Sequence, residues 1–301
     1  MDLESIRLFV IAADALNISA AGRAIGLSPA VASARLAKLE STLGVTLLYR
    51  TTRKVSITVE GAEFLPFARE ILAQEAAARA ALGQGGLPIT GTLRFAASST
   101  FAQAFILPII DDFLALHPRL TLDLRLSDKP FDLTEGSFDL ALRNMRLRDS
   151  TFKARKLAQD QRILCASPGY LSRHGTPEHP GDLTDHRLIA FGSQAPVPLR
   201  RRDDTESWFA PLEASCRLVV DDGASQKIAA LSGGGICQSS VWAIHAELAD
   251  GRLVRVLPDV EVATDMAIWL VYPGTHVVSP KVRAFIDFLM DRIAPLPVWS
   301  C

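Results

Sequence analysis

Between Ser19 and Glu40 the chain carries a run of small residues, interrupted by one glycine and restarted by Ser-Pro: Ser19-Ala20-Ala21-Gly22-Arg23-Ala24-Ile25-Gly26-Leu27-Ser28-Pro29-Ala30-Val31-Ala32-Ser33-Ala34-Arg35-Leu36-Ala37-Lys38-Leu39-Glu40. The spacing predicts two short helices, 19–25 and 29–42, joined by a tight turn. The Ser28 hydroxyl is placed to accept from an unpaired helical N–H. Pro29 at the first helical position has no N–H to leave unpaired. Gly26 supplies the turn. The small side chains of the first helix let the second cross it closely, which is helix-turn-helix spacing.

That arrangement lays the second helix in the major groove of duplex DNA, and local charge agrees. The net charge of the 301 residues is −1, which argues against a non-specific polycation. Residues 1–60, however, hold seven Lys or Arg against five Asp or Glu, and Arg23 to Lys54 contains six basic residues opposed only by Glu40. A modest local positive excess suits phosphate contact.

Around this block the expected elements follow in order. Ile6, Phe9, Val10, Ala13 and Leu16 give residues 3–16 one apolar helical face. Gly44 ends the third helix. Residues 45–58 form two β-prone runs about a basic tip, a small hairpin or wing. Thr58 caps a long helix from Val59 to about Leu82, whose stripe of Leu65, Ala68, Ile71, Leu72, Ala76, Arg79 and Leu82 suits a second copy of itself or a larger core. Gly83 to Gly91 is a hinge. Alternating strands and helices then imply parallel sheets flanked by helices: strands at 92–97, 121–126, 139–143, 162–166, 217–220, 235–239 and 267–272, with a further short strand at 253–257, and helices at 105–116, 168–174, 225–232 and 279–293. No apolar run is long enough for a bilayer, and the acidic start Met1-Asp2-Leu3-Glu4 is unlike a signal peptide. A cytoplasmic protein without membrane contact is expected.

Taken in order, these residues resemble the LysR-type transcriptional regulators over essentially the whole chain. The most specific block is Phe9, Ser19-Ala20-Ala21, Leu27-Ser28-Pro29, Ser33, Leu39-Glu40, Leu43-Gly44, Leu48, Arg50-Thr51-Thr52-Arg53 and Thr58-Glu60-Gly61. Weaker support comes from Gly91-Thr92-Leu93-Arg94, His117-Pro118, Asp139 to Arg143, Ala166 to Leu171, Gly233-Gly234-Gly235-Ile236, Gly251 to Val254 and Ser279 to Phe285. The resemblance implies an N-terminal all-α winged helix-turn-helix domain (1–58) and a dimerising linker helix (59–84) followed by a hinge (85–91). It also implies a C-terminal α/β two-lobed domain of the periplasmic-binding-protein type, with lobe 1 from 92–161 and 267–301 and lobe 2 from 162–266. The implied partners are operator DNA, a small-molecule effector, further copies of the chain in a homodimer or homotetramer, and RNA polymerase. No cofactor or metal is implied.

DNA contact is expected from Ser28, Pro29, Ala30, Ser33, Ala34, Arg35, Lys38, Arg50, Arg53 and Lys54, with Arg35 either a phosphate clamp or a solvent-facing charge. Effector contact is expected from Ser98, Ser99, Thr100, Arg143, Asp222 and Gln238. Ser98 to Thr100 suit a polar or anionic ligand or, equally, an ordinary helix cap. Arg143 suits a ligand carboxylate or a neighbour such as Asp139. Asp222 lies in a turn before a helix. Arg200 to Asp204 reads as a solvated loop, and Asp128-Lys129 is too common a pair to interpret. The four cysteines, Cys165, Cys216, Cys237 and Cys301, lack metal-ligand spacing. A thiol switch through Cys216 and Cys237 is the alternative reading. A two-lobed enzyme is a third, opposed by the lack of any His paired with a nucleophile and an orienting acid.

Overall fold

The structure, a computed structural model, describes residues 1–50, 55–79, 89–128, 138–146, 152–192, 195–201, 206–213, 216–274 and 278–295. Two compact units divide the chain, the first break falling between Ile89 and Thr90.

The N-terminal unit holds α1 (Leu3–Ala15), α2 (Ile18–Ala24), α3 (Pro29–Leu43), β1 (Leu48–Arg50), β2 (Val55–Ile57) and α4 (Val59–Arg79). Each helix start has a side-chain acceptor. Asp2 accepts from Ser5 N at 2.8 Å, Asn17 from Ala20 N at 2.9 Å, Ser28 from Val31 N at 3.4 Å and Thr58 Oγ1 from Gly61 N at 2.8 Å. Asn17 starts α2 one residue earlier than expected. Gly26 and Gly44, both at positive φ, end the turn and α3. At Gly22 a Cβ would stand 2.7 Å from the Cβ of Ala32, so α2 and α3 cross where neither has bulk. Beneath the crossing lie Ile6, Leu8, Phe9, Ala12, Ala21, Ala32, Leu36 and Leu39.

The predicted hairpin is antiparallel, Leu48 opposite Ile57 and Arg50 opposite Val55. Glu40 ties its base to α3, accepting from Leu47 N and Leu48 N. The stripe of α4 is partly spent inside the unit: Ala68 is buried, and Phe64, Leu65, Ile71 and Leu72 pack on the same core. Arg7–Glu75 and Arg69–Asp14 ion pairs fasten α4 to α1. Pro66 lies within α4.

The C-terminal unit continues with β3 (Thr90–Ala97), α5 (Ser99–Phe101), α6 (Ile110–Leu116), β4 (Arg119–Leu126), β5 (Leu140–Met145), β6 (Phe152–Gln159), β7 (Arg162–Ala166), α7 (Pro168–His174), β8 (Leu188–Phe191), β9 (Val197–Arg201), β10 (Glu206–Phe209), β11 (Cys216–Val220), α8 (Gly223–Leu231), β12 (Ile236–Ser240), α9 (Val241–Ala249), β13 (Val254–Val256), β14 (Val260–Val262), β15 (Ala267–Pro273) and α10 (Pro280–Ile293). One five-stranded sheet has the order β4-β3-β5-β15-β6 and the other β11-β8-β12-β7-β13. They are mixed, not parallel as expected. β3 runs parallel to β4 and β5, and β8 parallel to β11 and β12, whereas β15 and β7 are antiparallel to their neighbours. The chain crosses between the sheets after β6 and returns before β15, and the first strand after each crossing, β7 and β15, is the one antiparallel to its neighbours. The two crossings touch, with Asp160 N donating to Met266 O.

Residues 99–116 meet the length and mean hydropathy (1.4) of a membrane span, contrary to the sequence expectation. The segment changes from α to π to 3₁₀ and back to α, and its Phe101, Ala102, Ile106, Ile110 and Phe113 are buried. Phe113 packs on Phe285 of α10, which also meets Phe95 of β3 edge-on. This is a core helix, and Asp111 and Asp112 on it would be costly in hydrocarbon. Arg200 and Arg201 are not loop residues. They lie on β9, between β10 and β14 in a three-stranded sheet.

Candidate nucleic-acid interface and interlobe site

On α3 the buried positions Ala32, Leu36 and Leu39 face the core, which turns Pro29, Ala30, Ala34, Ala37, Lys38 and Ser41 to solvent. Ala30, Ala34 and Ala37 leave the backbone accessible along one stripe, and Lys38 stands beside it. Ser28 is exposed but is also the cap. Ser33 is half-buried at the margin of the stripe, not at its centre. Arg35 is drawn back to Glu4 of α1 by an ion pair. The backbone of Arg50 closes the hairpin register, while Arg53 and Lys54 lie outside the described residues. Tyr49 on β1 is 58% exposed, although an aromatic in a β-run suggests a core position.

In the C-terminal unit the candidate residues part company. Ser98 Oγ caps α5, accepting from Phe101 N at 3.4 Å. Asp222 caps α8, accepting from Ser225 N at 2.9 Å, and hydrogen bonds from Ser225 hold its carboxyl below the usual range. Between these two helix starts stands Asp128. Its Oδ1 accepts from Ser99 N at 2.7 Å, and its Oδ2 accepts from Gly223 N at 3.0 Å and from the Thr100 hydroxyl at 3.3 Å. Ser99, Thr100 and Gly223 are thus gathered around one carboxylate. No local pattern marks Asp128, since an isolated acid after a strand is unremarkable until Gly223, 95 residues on, is brought to it.

Beside this contact Phe101 and Phe105 pack on Trp242 and His245 of α9. Arg143 lies on β5 opposite Trp269, where burial pushes its guanidinium below the ordinary value. Gln238 is buried on β12 opposite Leu164. A separate hollow of about 460 Å³ adjoins the crossings, lined by Asp160, Arg162, Arg255, Glu261 and Thr264 among others.

The geometry overturns the proposed cysteine pair. Cys216 on β11 stands opposite Leu188 of β8, and Cys237 on β12 stands opposite Ile189 on the other side of the same strand. Two strand spacings, about 9.5 Å, exceed what a disulfide spans. Cys237 instead lies opposite Cys165, with the sulfurs 3.6 Å apart. Both are buried, and contact with Cys165 together with burial raises the Cys237 thiol well above its ordinary pKa, which disfavours the reactive thiolate.

A helix-turn-helix unit with a hairpin wing, followed by two sheets joined by paired crossings, is the plan of a ligand-responsive bacterial regulator. The comparisons agree. Residues 3–62 match the family described as bacterial regulatory helix-turn-helix protein, lysR family, and residues 88–294 match the LysR substrate binding domain. The chain is 31% identical over 288 residues to the uncharacterized HTH-type transcriptional regulator YhjC of Escherichia coli, covering 95% of this chain and 96% of that protein. Among solved structures it is similar to the full-length virulence activator AphB of Vibrio cholerae (26% identity, TM-score 0.60, 97% of this chain and 100% of that one). It is also similar to CrgA of Neisseria meningitidis (28% identity, TM-score 0.60, 97% and 98%). The chain belongs to the LysR family. It is a DNA-binding transcriptional regulator with a ligand-binding regulatory domain, not an enzyme.

Proposed function

We propose that the protein binds an operator through the exposed stripe of α3 and changes its hold on DNA when a small molecule enters between the two lobes of its C-terminal domain. The observation that carries the DNA reading is the stripe itself. Ala30, Ala34 and Ala37 form a smooth ridge that a groove can accept, Lys38 supplies charge, and the side of the helix behind it is locked into the core. Pro29 and the Ser28 cap lie at its leading end, Arg50 ends the first strand of the wing, and Arg53 and Lys54 are proposed from the sequence as further contacts, arginine serving backbone or minor-groove contact. Ser33 reaches DNA from the margin.

Two such helices are needed to read a two-part operator. With Leu65, Ala68, Ile71 and Leu72 occupied internally, α4 offers a second copy its other side, on which Val59 (71%) and Phe67 (63%) are exposed. In the regulatory domain, Ser98, Ser99, Thr100, Arg143, Asp222 and Gln238 remain the proposed surround of the effector, with Ser98 and Asp222 acting mainly as caps that set the helix starts. We infer from its proposed work on duplex DNA that the protein acts in the cytoplasm.

Hydroxyl-radical protection of DNA flanking the gene, repeated with a panel of organic acids and amines, tests this. Protection in two patches about one helical turn apart, altered by one of the compounds, is the expected result. A protein that protects no fragment at low salt, or whose protection no compound changes, contradicts the corresponding half.

A further inference from the structure

Three donors from two lobes converge on the carboxylate of Asp128: Ser99 N–H and the Thr100 hydroxyl from lobe 1, and Gly223 N–H from lobe 2. Both oxygens are used, at 2.7, 3.0 and 3.3 Å, and the donor set is the one that a free carboxylate would need. The lobes also meet sterically here. A Cβ at Gly223 would lie 2.9 Å from the Thr100 hydroxyl oxygen, so α8 reaches α5 only because residue 223 has no side chain. Phe101 and Phe105 against Trp242 and His245 extend the seam.

We propose that Asp128 is a self-ligand: it fills, with the chain's own carboxylate, the place where an effector carboxylate binds, and so latches the two lobes together until such an effector exchanges with it. The proposal rests on the reading that a ligand between the lobes controls the protein, and it names the chemistry of that ligand and the group it must displace. Exchange conserves the bonding. Ser99 N–H, Thr100 O–H and Gly223 N–H donate to the incoming carboxylate, and Asp128 turns out to water. Because Asp128 is tethered, it competes at a high effective concentration. Only carboxylates that gain further contacts in the cleft displace it, and small ones such as formate do not. The latch thereby gives selectivity among anions that the three donors alone lack. A ligand shifts the lobes only through this unequal affinity for the latched and unlatched states.

The test uses the full-length protein, amide exchange of peptides covering Ser99 and Gly223, and sodium formate as the probe, against sodium chloride at equal ionic strength. In the native protein both amides are protected, and formate changes nothing. In Asp128→Ala exchange at both sites rises at least about tenfold, the scale of losing a charge-assisted hydrogen bond, and formate, but not chloride, restores protection at both together. Asp128→Asn keeps the shape and an acceptor oxygen. It shows a smaller rise, and it serves as the second variant should the alanine protein fail to fold. Unchanged exchange at Gly223 in both variants, or identical formate responses in native and Asp128→Ala proteins, overturns the latch. The operator experiment is independent. A latch that fails while compounds still alter DNA protection leaves the ligand reading standing, and a latch that holds while no compound acts on DNA removes that reading alone.

Discussion

The two units use their polar groups in opposite directions. In the N-terminal unit, packing of Leu36, Leu39 and Ala32 turns one side of α3 outward, and Ala30, Ala34, Ala37 and Lys38 there are exposed to solvent. In the C-terminal unit, the hydroxyl and N–H groups at two helix starts turn inward onto Asp128. A DNA-reading surface must stand ready, because its partner is a large polyanion that drives binding by releasing counterions. A regulated cleft gains from being filled, because a response then needs a competitor.

The largest expected effect on this contrast comes from behind the reading face. Leu36, on the inner side of α3, is fully buried, so Leu36→Ala costs about 3 kcal/mol of stability in chemical denaturation, with operator binding falling as the unit loosens. A loss below about 1 kcal/mol means that α3 is not held as described. Next comes Lys38→Ala, which leaves stability unchanged and lowers the slope of log affinity against log salt by about 1. An unaltered slope removes Lys38 from the interface.

A smaller effect separates capping from ligand contact in the C-terminal unit. Asp222 has a folded-state pKa below its unfolded value, because Ser225 donates to its charged form. The stability it contributes is therefore complete above the ordinary carboxylate range and lost as pH falls through the lower folded value. Asp222→Asn keeps the cap but not the titration, so unfolding curves below about pH 4 should fall less steeply than those of the native protein. Parallel curves indicate that Asp222 does not titrate as a cap. Smallest is Arg35→Ala. Its pair with Glu4 is on the surface and should contribute under about 0.5 kcal/mol. A marked loss of operator affinity in this variant would show that DNA pulls Arg35 away from Glu4.

Much of the N-terminal unit was legible because its determinants are local. Ser28 and Pro29, Gly26, Gly44 and Thr58 act within four residues of themselves, and the structure finds each doing so. Arg35 was ambiguous in sequence because its partner, Glu4, lies 31 residues away. The C-terminal strands at 162–166 and 267–272 were visible as apolar runs. β6, with the polar alternation of Phe-Lys-Ala-Arg-Lys-Leu-Ala-Gln, was not, since an edge strand needs little apolar surface, and β9 was not because its arginines mask the alternation of Val197 and Leu199, which it buries at the centre of its sheet. The parallel expectation failed because strand direction depends on where the chain crosses between sheets, which no window of sequence reports. Asp128 was passed over for the same reason. Its partner at Gly223 is 95 residues away, and only folding brings them together. The Cys216–Cys237 pairing failed on register, a matter of which strand lies between.

The central claim is that the alanine stripe of α3 lies against DNA, and Ala34→Asp tests it most directly. Ala34 is exposed, so the substitution leaves thermal stability within about 0.5 kcal/mol of the native protein. The new carboxylate would face the phosphates and base edges of the groove, and operator affinity in a titration at fixed salt should fall at least about a hundredfold, the cost of an unpaired, repelled charge in the interface. Native affinity in a folded Ala34→Asp protein would contradict the account.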